Sequence, residues 1–141
     1  MEISGVTMSS LDITSSQIQG DITANILHLK GQIDRSTDGP LLDRARESYE
    51  DGARYLLLDL SEVDMLTSSG LHAVHTLFRM FTPQSELDKM HQHRDEPYKS
   101  PYFKMVVPDP QIYYILNITG FIQNIFVFNN MDEAIRSFDA Q

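Results

Sequence analysis

The feature that most constrains the fold is a nearly unbroken apolar run, Tyr55–Leu60, which follows directly on an amphipathic helical pattern. A run of this kind is typical of a strand buried on both faces, and such strands belong to mostly parallel sheets. The helical pattern before it starts at Asp38, with Pro40 in the first turn, and ends near Gly52. A helix that leads straight into a buried strand predicts a layered α/β fold.

The rest of the chain continues this alternation. Two alternating stretches, Leu11–Ile18 and Ile22–Leu29, flank the turn residues Gly20-Asp21 and predict an antiparallel hairpin. The later patterns are a helix from Leu71 to Phe81, a strand at Phe103–Val107, a helix after Asp109, a strand at Ile125–Phe128 and a helix from Met131. The order β-β-α-β-α-β-α-β-α predicts a mixed, mostly parallel sheet with helices packed on it.

The length of 141 residues suits one domain, which we place at residues 11–138. Residues 1–10 are small and polar and are expected to form a flexible N-terminus. Gln84–Tyr102 is rich in charge, histidine and proline, and we interpret residues 84–102 as a long polar loop insertion. Such a loop is either a disordered insertion or a partner surface particular to this protein.

Composition excludes several classes of function. The chain has no cysteine, which removes disulfides, thiolate metal sites and thiol catalysis, and which fits a cytoplasmic location. Its net charge of −9 disfavours nucleic acid and anionic membranes as partners. No signal-peptide pattern and no run long enough for membrane insertion are present. We expect a soluble, acidic, cytoplasmic protein.

The most informative segment for function is Thr67-Ser68-Ser69-Gly70, at the predicted start of a helix. A helix start offers free backbone amides and the positive end of the helix dipole, which together stabilise a phosphate. A serine in this first turn is therefore well placed for reversible phosphorylation. Spacing alone also fits plain N-capping by Thr67 or Ser68, so both readings stay open at this point.

The stretch Leu56–Leu71 resembles the signature of the STAS domain, which occurs in bacterial anti-sigma factor antagonists and at the ends of sulfate transporters. Three other segments resemble marks of the same family in the same order: Leu29–Asp34, Ile115–Phe121, and Phe128 with Met131–Ile135. The resemblance covers about residues 11 to 138. It implies the STAS fold for the whole predicted domain.

The resemblance also implies a mechanism. Antagonists of this type bind an anti-sigma factor that is also a Ser/Thr kinase, and binding frees the sigma factor. The kinase phosphorylates the first serine of the motif, here Ser68, which breaks the complex. A metal-dependent phosphatase then restores the unphosphorylated form. The chain would be a substrate and a regulator of transcription, not an enzyme, and it would need no cofactor.

We expect the following residues to carry this function. Ser68 is the phosphoacceptor, with Ser69 as the second candidate. The environment of the phosphosite is assigned to Thr67, Gly70, Asp34 and Asp59, because the carboxylates end or follow strands near one edge of the sheet. Partner contacts are assigned to Met65 and Leu66, read as apolar loop residues, and to Leu71, His72 and His75 on the following helix.

One position departs from the family pattern. Thr67 stands where the motif has aspartate, which removes a fixed negative charge and leaves three adjacent hydroxyls. Thr67 or Ser69 could then be the acceptor instead of Ser68, or none of the three. The pattern by itself leaves this choice open, together with the oligomeric state.

Two other classes of function compete with a phosphorylation switch. A scaffold or accessory subunit, resembling stressosome components or small subunits of lipid-transport ABC systems, would use the same domain without phosphorylation. An enzyme is disfavoured because the chain lacks both the Gly-x-Ser-x-Gly elbow and a Gly-rich phosphate loop. His72 and His75 have a spacing that can share a metal ion, but no third ligand matches it, so no metal site is predicted.

Overall fold

The computed structural model describes residues 10–19, 22–92, 98–120 and 123–139. The strands are β1 (Leu11–Gln19), β2 (Thr23–Ile33), β3 (Leu56–Leu66), β4 (Ser100–Val106) and β5 (Ile125–Phe128), and the helices are α1 (Asp38–Glu50), α2 (Ser68–Phe81), α3 (Gln84–Gln92), α4 (Pro110–Ile118) and α5 (Met131–Asp139). The strands form one sheet in the order β1-β2-β3-β4-β5, antiparallel between β1 and β2 and parallel elsewhere. The predicted mixed, mostly parallel α/β sheet is confirmed.

The predicted opening hairpin is also confirmed. β1 and β2 pair from Leu11 opposite Gly31 to Gln19 opposite Thr23. Gly31 has a φ of 124°, and a Cβ there would collide with the carbonyl oxygen of Ser10. The close approach of the two chain segments at this end of the hairpin therefore requires glycine. The predicted turn at residues 20–21 and residues 1–9 of the expected flexible N-terminus lie outside the described residues.

The strand side chains alternate between two core layers, which explains the unbroken apolar run. Leu56 and Leu58 belong to the larger cluster, which α1, α2, α3 and α4 cover. Leu57 points the other way, into a smaller cluster with Ala134 and Phe138 of α5. All three leucines are fully buried, and burial of such a side chain stabilises the fold by about 1.5–3 kcal/mol. Four of the described helices therefore pack on one face of the sheet, and α5 covers part of the other.

Strand β3 is longer than predicted. We expected Met65 and Leu66 to lie in a loop, but β3 continues to Leu66 and pairs with β2 as far as Ile33. Two register shifts interrupt this pairing, and such bulges break the period of two that sequence analysis relies on. Val63 and Leu66 are buried, which anchors the second half of the strand.

The segment 84–102 is not the loop that we expected. It contains α3, and β4 begins within it at Ser100. Leu87 is 7% exposed and packs into the larger core, and the partly buried Met90 packs against the same core, so two apolar side chains dock a mostly polar helix. Glu86 strengthens the contact by pairing with Lys89 on the same helix and accepting a 2.7 Å hydrogen bond from the Tyr98 hydroxyl. Residues 93–97 lie outside the described ranges.

None of the helices in the described ranges has the length and apolar character that a membrane crossing requires.

A lysine lies inside the core layer beneath α5. Lys104 of β4 is 1% exposed, and its Nζ donates to Oγ of Ser137 at 3.0 Å. The same Nζ lies 4.2 Å from the ring centroid of Phe138. Burial lowers the pKa of Lys104 to about 8, because the charged form loses hydration. The folded protein therefore binds this proton less tightly than the unfolded chain does.

This shift predicts a rise in stability with pH. Between about pH 8 and 10.5 the unfolded chain keeps the Lys104 proton and the folded protein loses it, so the free energy of unfolding increases with pH in that window. Lys104→Met should remove the rise and stabilise the protein at pH 7 by about 1–2 kcal/mol. Urea denaturation at pH 7.5, 8.5 and 9.5 measures both effects. Exposed Lys30, replaced by Met, is the control and should keep the wild-type slope; equal slopes for all three proteins would contradict the prediction.

Candidate functional site

The hydroxyl motif lies at the carboxyl edge of the sheet, where β3 passes into α2. Thr67, Ser68 and Ser69 line a shallow cleft of about 460 Å³ together with the loop Asp34–Ser36, which follows β2. This edge is where ligands of α/β sheets commonly bind. The structure thus brings Asp34 to the serine motif, as expected from the sequence.

Thr67 determines where α2 begins. Its extended backbone makes it the N-cap, and its Oγ1 accepts a 3.2 Å hydrogen bond from the amide of Gly70. Its own amide and Oγ1 donate to the carbonyl oxygen of Ile33, at 3.1 and 3.3 Å. Thr67 therefore caps the helix in the position where the motif carries aspartate, and its hydroxyl is occupied in doing so.

Gly70 allows α2 to dock against the end of β2. A Cβ at this position would collide with the carbonyl oxygen of Ile33 and lie 2.9 Å from a methyl group of Leu66. The backbone carbonyl cannot move away without disrupting the pairing of β2 with β3. The glycine is required here for close approach and not for an unusual backbone angle.

The two serines of the motif have different surroundings. Ser69 Oγ donates a 2.6 Å hydrogen bond to a carboxylate oxygen of Asp38, in the first turn of α1. Ser68 is exposed, and its hydroxyl has no hydrogen-bond partner among the described residues. Of the three adjacent hydroxyls, only that of Ser68 is open to a reaction without the loss of an existing contact.

The other wall of the cleft is held by a compact turn. Asp34 is 9% exposed, and its Oδ1 accepts hydrogen bonds from the amide and the hydroxyl of Ser36, at 2.9 and 2.7 Å. Thr37 closes the turn by donating to the carbonyl oxygen of Gln32 at 2.7 Å. These bonds fix the Asp34 carboxylate, so its charge stays at a defined place beside the motif.

The two apolar residues before the motif behave differently from each other. Met65 is 44% exposed, consistent with a partner contact. Leu66 is 6% exposed and belongs to the core, so its assignment to the partner surface is wrong. The error follows from the length of β3, because Leu66 is a strand residue that pairs with Ile33 and packs in the larger core, where a loop residue could have pointed outward.

The residues assigned to the partner face of α2 are not equally available to a partner, because Leu71 packs against the larger core. Leu71 is half-buried, and His72 and His75 are exposed. Partial burial, and then the charges of Arg79 and His72, lower the pKa of His75, which favours its neutral form near pH 7. Within the described ranges, no three histidine or acidic side chains come together in a way that could hold a metal ion.

Asp59 does not lie in the cleft with the serine motif. Its Oδ2 is 2.9 Å from Nδ1 of His28, and its Oδ1 accepts hydrogen bonds from Ser61. His28 Nε2 is in turn 3.0 Å from Ser16 Oγ, which completes a Ser–His–Asp chain across three strands. Because β3 extends to Leu66, roughly 20 Å of strand separate Asp59 from the motif. The expected role of Asp59 at the phosphosite is therefore wrong.

The Ser16–His28–Asp59 chain was not expected from the sequence, because its members come from three strands whose register only the folded sheet defines. It has the contacts of a hydrolase triad, but Ser16 is exposed on an edge strand. Catalysis of that kind also requires a substrate pocket and donors for an oxyanion. We assign these three hydrogen-bonded side chains a structural role, in which they connect β1, β2 and β3.

Sequence analysis missed two charged residues of the site. Arg35 lines the cleft beside Ser68, and Asp38 contacts Ser69. Asp38 was recognised only as the start of a helix, and Arg35 carried no signal beyond its place after Asp34. The docking of α2 on the end of β2 brings Arg35 to the motif, and the packing of α1 against α2 brings Asp38 there.

Comparison with known proteins gives one family. The family model of the STAS domain matches residues 14–85, just over half of the chain and including the motif. No curated protein matches the sequence significantly.

Solved structures share the fold at low sequence identity. An anti-sigma factor antagonist from Mycobacterium paratuberculosis is 20% identical with a TM-score of 0.68, over 91% of this chain and 95% of that one. A putative anti-sigma factor antagonist from Thermotoga maritima is 13% identical with a TM-score of 0.61, over 81% and 87%. The Bacillus cell fate determinant SpoIIAA in its phosphorylated form is 11% identical with a TM-score of 0.56, over 89% and 97%. Likeness at this level of identity establishes the fold.

The close approach at Gly70 predicts a large loss of stability on substitution. Gly70→Ala should lower the free energy of unfolding by about 2–3 kcal/mol, since the new methyl group meets a backbone oxygen that cannot move away. Gly39→Ala is the matched control, because nothing lies within 4 Å of a Cβ there, and it should be neutral or stabilise α1 by up to about 1 kcal/mol. Urea denaturation followed by circular dichroism measures both; wild-type stability of Gly70→Ala would contradict the packing described.

Proposed function

The chain belongs to the STAS domain family, and on this premise we propose that it is a regulatory binding module of the anti-sigma factor antagonist type. In this proposal an anti-sigma factor with Ser/Thr kinase activity binds the surface around α2 and phosphorylates Ser68. A cognate phosphatase reverses the modification. The protein acts in the cytoplasm on transcription, as a phosphoprotein and not as an enzyme.

The observation that carries the proposal is the state of the Ser68 hydroxyl. It is exposed in the cleft at the N-terminus of α2 and has no hydrogen-bond partner among the described residues. A phosphate on this oxygen gains from the free amides and the dipole of the helix. Arg35 offers a cation on the same cleft. The modified state is therefore compatible with the fold.

The charge of α2 supports a switch by phosphorylation. The helix Ser68–Phe81 contains no acidic residue. Its exposed side carries His72, His75 and Arg79 on the same face as Ser68, at spacings of three and four residues. A phosphate adds nearly two negative charges at one end of this face. A partner selected for the uncharged serine would then meet an anion that it cannot desolvate, and the complex would dissociate.

A second candidate function is a scaffold or accessory subunit that is never phosphorylated, of the stressosome-like or lipid-transport ABC type. One observation favours it. Tyr114 and Ile118 of α4 are both 62% exposed, and their spacing of four residues puts them on one side of the helix. Permanent burial of these side chains in an assembly would explain their exposure in the single chain.

The proposed function predicts one phosphate on Ser68 in protein isolated from its native host. Trypsin releases Tyr55–Arg79 as a single peptide, which holds Ser61 as well as the three hydroxyls of the motif. Mass spectrometry should find the phosphopeptide in the wild type and lose it in Ser68→Ala. Ser61→Ala is the control within the same peptide and should keep the phosphate.

The same experiment separates the two candidate functions. Absence of phosphate on this peptide across growth and stress conditions would overturn the switch. If the protein then elutes only in a large assembly, and a Tyr114→Ser, Ile118→Ser double variant elutes alone, the scaffold function is supported.

A further inference from the structure

We infer that the hydrogen bond to Asp38 keeps the Ser69 hydroxyl from being phosphorylated, so that Ser68 carries the one hydroxyl of the motif at which the site accepts a phosphate. The inference deepens the proposed function and rests on it for its biological meaning. Its physical content, the difference between a phosphate at Ser68 and one at Ser69, is a property of the folded chain alone.

The contact between Ser69 and Asp38 is short and joins distant parts of the chain. Ser69 Oγ donates to Asp38 Oδ2 at 2.6 Å in a partly buried position. A hydrogen bond from a hydroxyl to a carboxylate at this distance belongs to the strong, charge-assisted class. The proton in this bond is the one that phosphorylation of Ser69 replaces. Ser69 can therefore react only after it gives up its contact with α1.

A phosphate on Ser69 would also lie against an anion. Its charge of nearly −2 would meet the Asp38 carboxylate where a donor stood before, and the close packing of α1 and α2 limits how far the two groups can separate. Repulsion between like charges at this position would push the start of α1 away from the start of α2. The unmodified contact attracts and the modified one repels.

The other two hydroxyls complete the selection. Thr67 Oγ1 accepts from the amide of Gly70 and donates to the carbonyl oxygen of Ile33, so a phosphate there would remove the helix cap. Ser68 makes no such contact and shares its cleft with the cation of Arg35. The three neighbouring hydroxyls thus differ in reactivity because of the hydrogen bonds that each one makes, and not because the hydroxyl groups differ in themselves.

The test installs phosphoserine genetically at position 68 or at position 69 of the full chain and measures the thermal midpoint of unfolding, with no kinase required. Phosphoserine at 68 should leave the midpoint within about 2 °C of the unmodified protein, and phosphoserine at 69 should lower it by about 5–10 °C. Asp38→Asn should remove most of that loss. Asp43→Asn, an exposed carboxylate on the same helix paired with Arg46, is the matched control and should not.

Each outcome bears on the inference. Equal midpoints for the two phosphoproteins, or a loss at 69 that Asp38→Asn does not relieve, would overturn it. If phosphoserine at 69 prevents folding in the wild type but not in the Asp38→Asn background, the inference is supported. A double-mutant cycle of Asp38→Asn with Ser69→Ala gives a second measurement, in which strictly additive effects count against a coupled pair.

Phosphopeptide mapping in the native host separates this inference from the proposed function. Ser68→Ala should carry no phosphate on the peptide Tyr55–Arg79, and Ser68→Ala with Asp38→Asn should carry one on Ser69. A wild-type protein without phosphate on that peptide contradicts the proposed function, and the thermal midpoints still decide whether Asp38 excludes an anion from Ser69.

Discussion

The docking of α2 on the end of β2 is the contact on which the site depends. The amide and the hydroxyl of Thr67 both donate hydrogen bonds to the carbonyl oxygen of Ile33. Gly70 has no side chain to hold the helix away from the same oxygen. This contact brings the turn after β2 beside the first turn of α2. Asp34 and Arg35 then share a cleft with Ser68, although they are distant in the sequence.

The same docking gives each hydroxyl of the motif a separate task. Thr67 caps the helix, Ser69 ties α2 to Asp38 of α1, and Ser68 remains exposed. A site that changes its charge must do so without undoing the packing that presents it. The proposed function uses the one hydroxyl that meets this condition, and it places the new charge at the end of a helix that carries no acidic residue.

On the face of the sheet that α5 partly covers, polar side chains hold elements of the fold together. His28 and Asp59 join β2 to β3, and Lys104 reaches Ser137 beneath α5. Burial of Lys104 costs free energy because the ammonium loses water. Two hydrogen bonds to Ser137 and the cation–π contact with the Phe138 ring offset only part of that cost. These groups lie away from the cleft, so the chemistry of the motif and the pH dependence of stability belong to different parts of the molecule.

The sequence by itself determined the order of the strands and of all the described helices except α3, together with the hairpin, the family and the position of the motif, because these depend on local periodicity and on residue types at fixed spacing. The tertiary structure decided the length of β3, the helix at Gln84–Gln92, the burial of Leu66 and the pairing of Asp59 with His28. It also decided that Asp38 and Arg35 meet the motif and Asp59 does not. These features depend on β-bulges and on helix packing. Neither produces a periodic pattern in the sequence, because both depend on residues that are far apart along the chain.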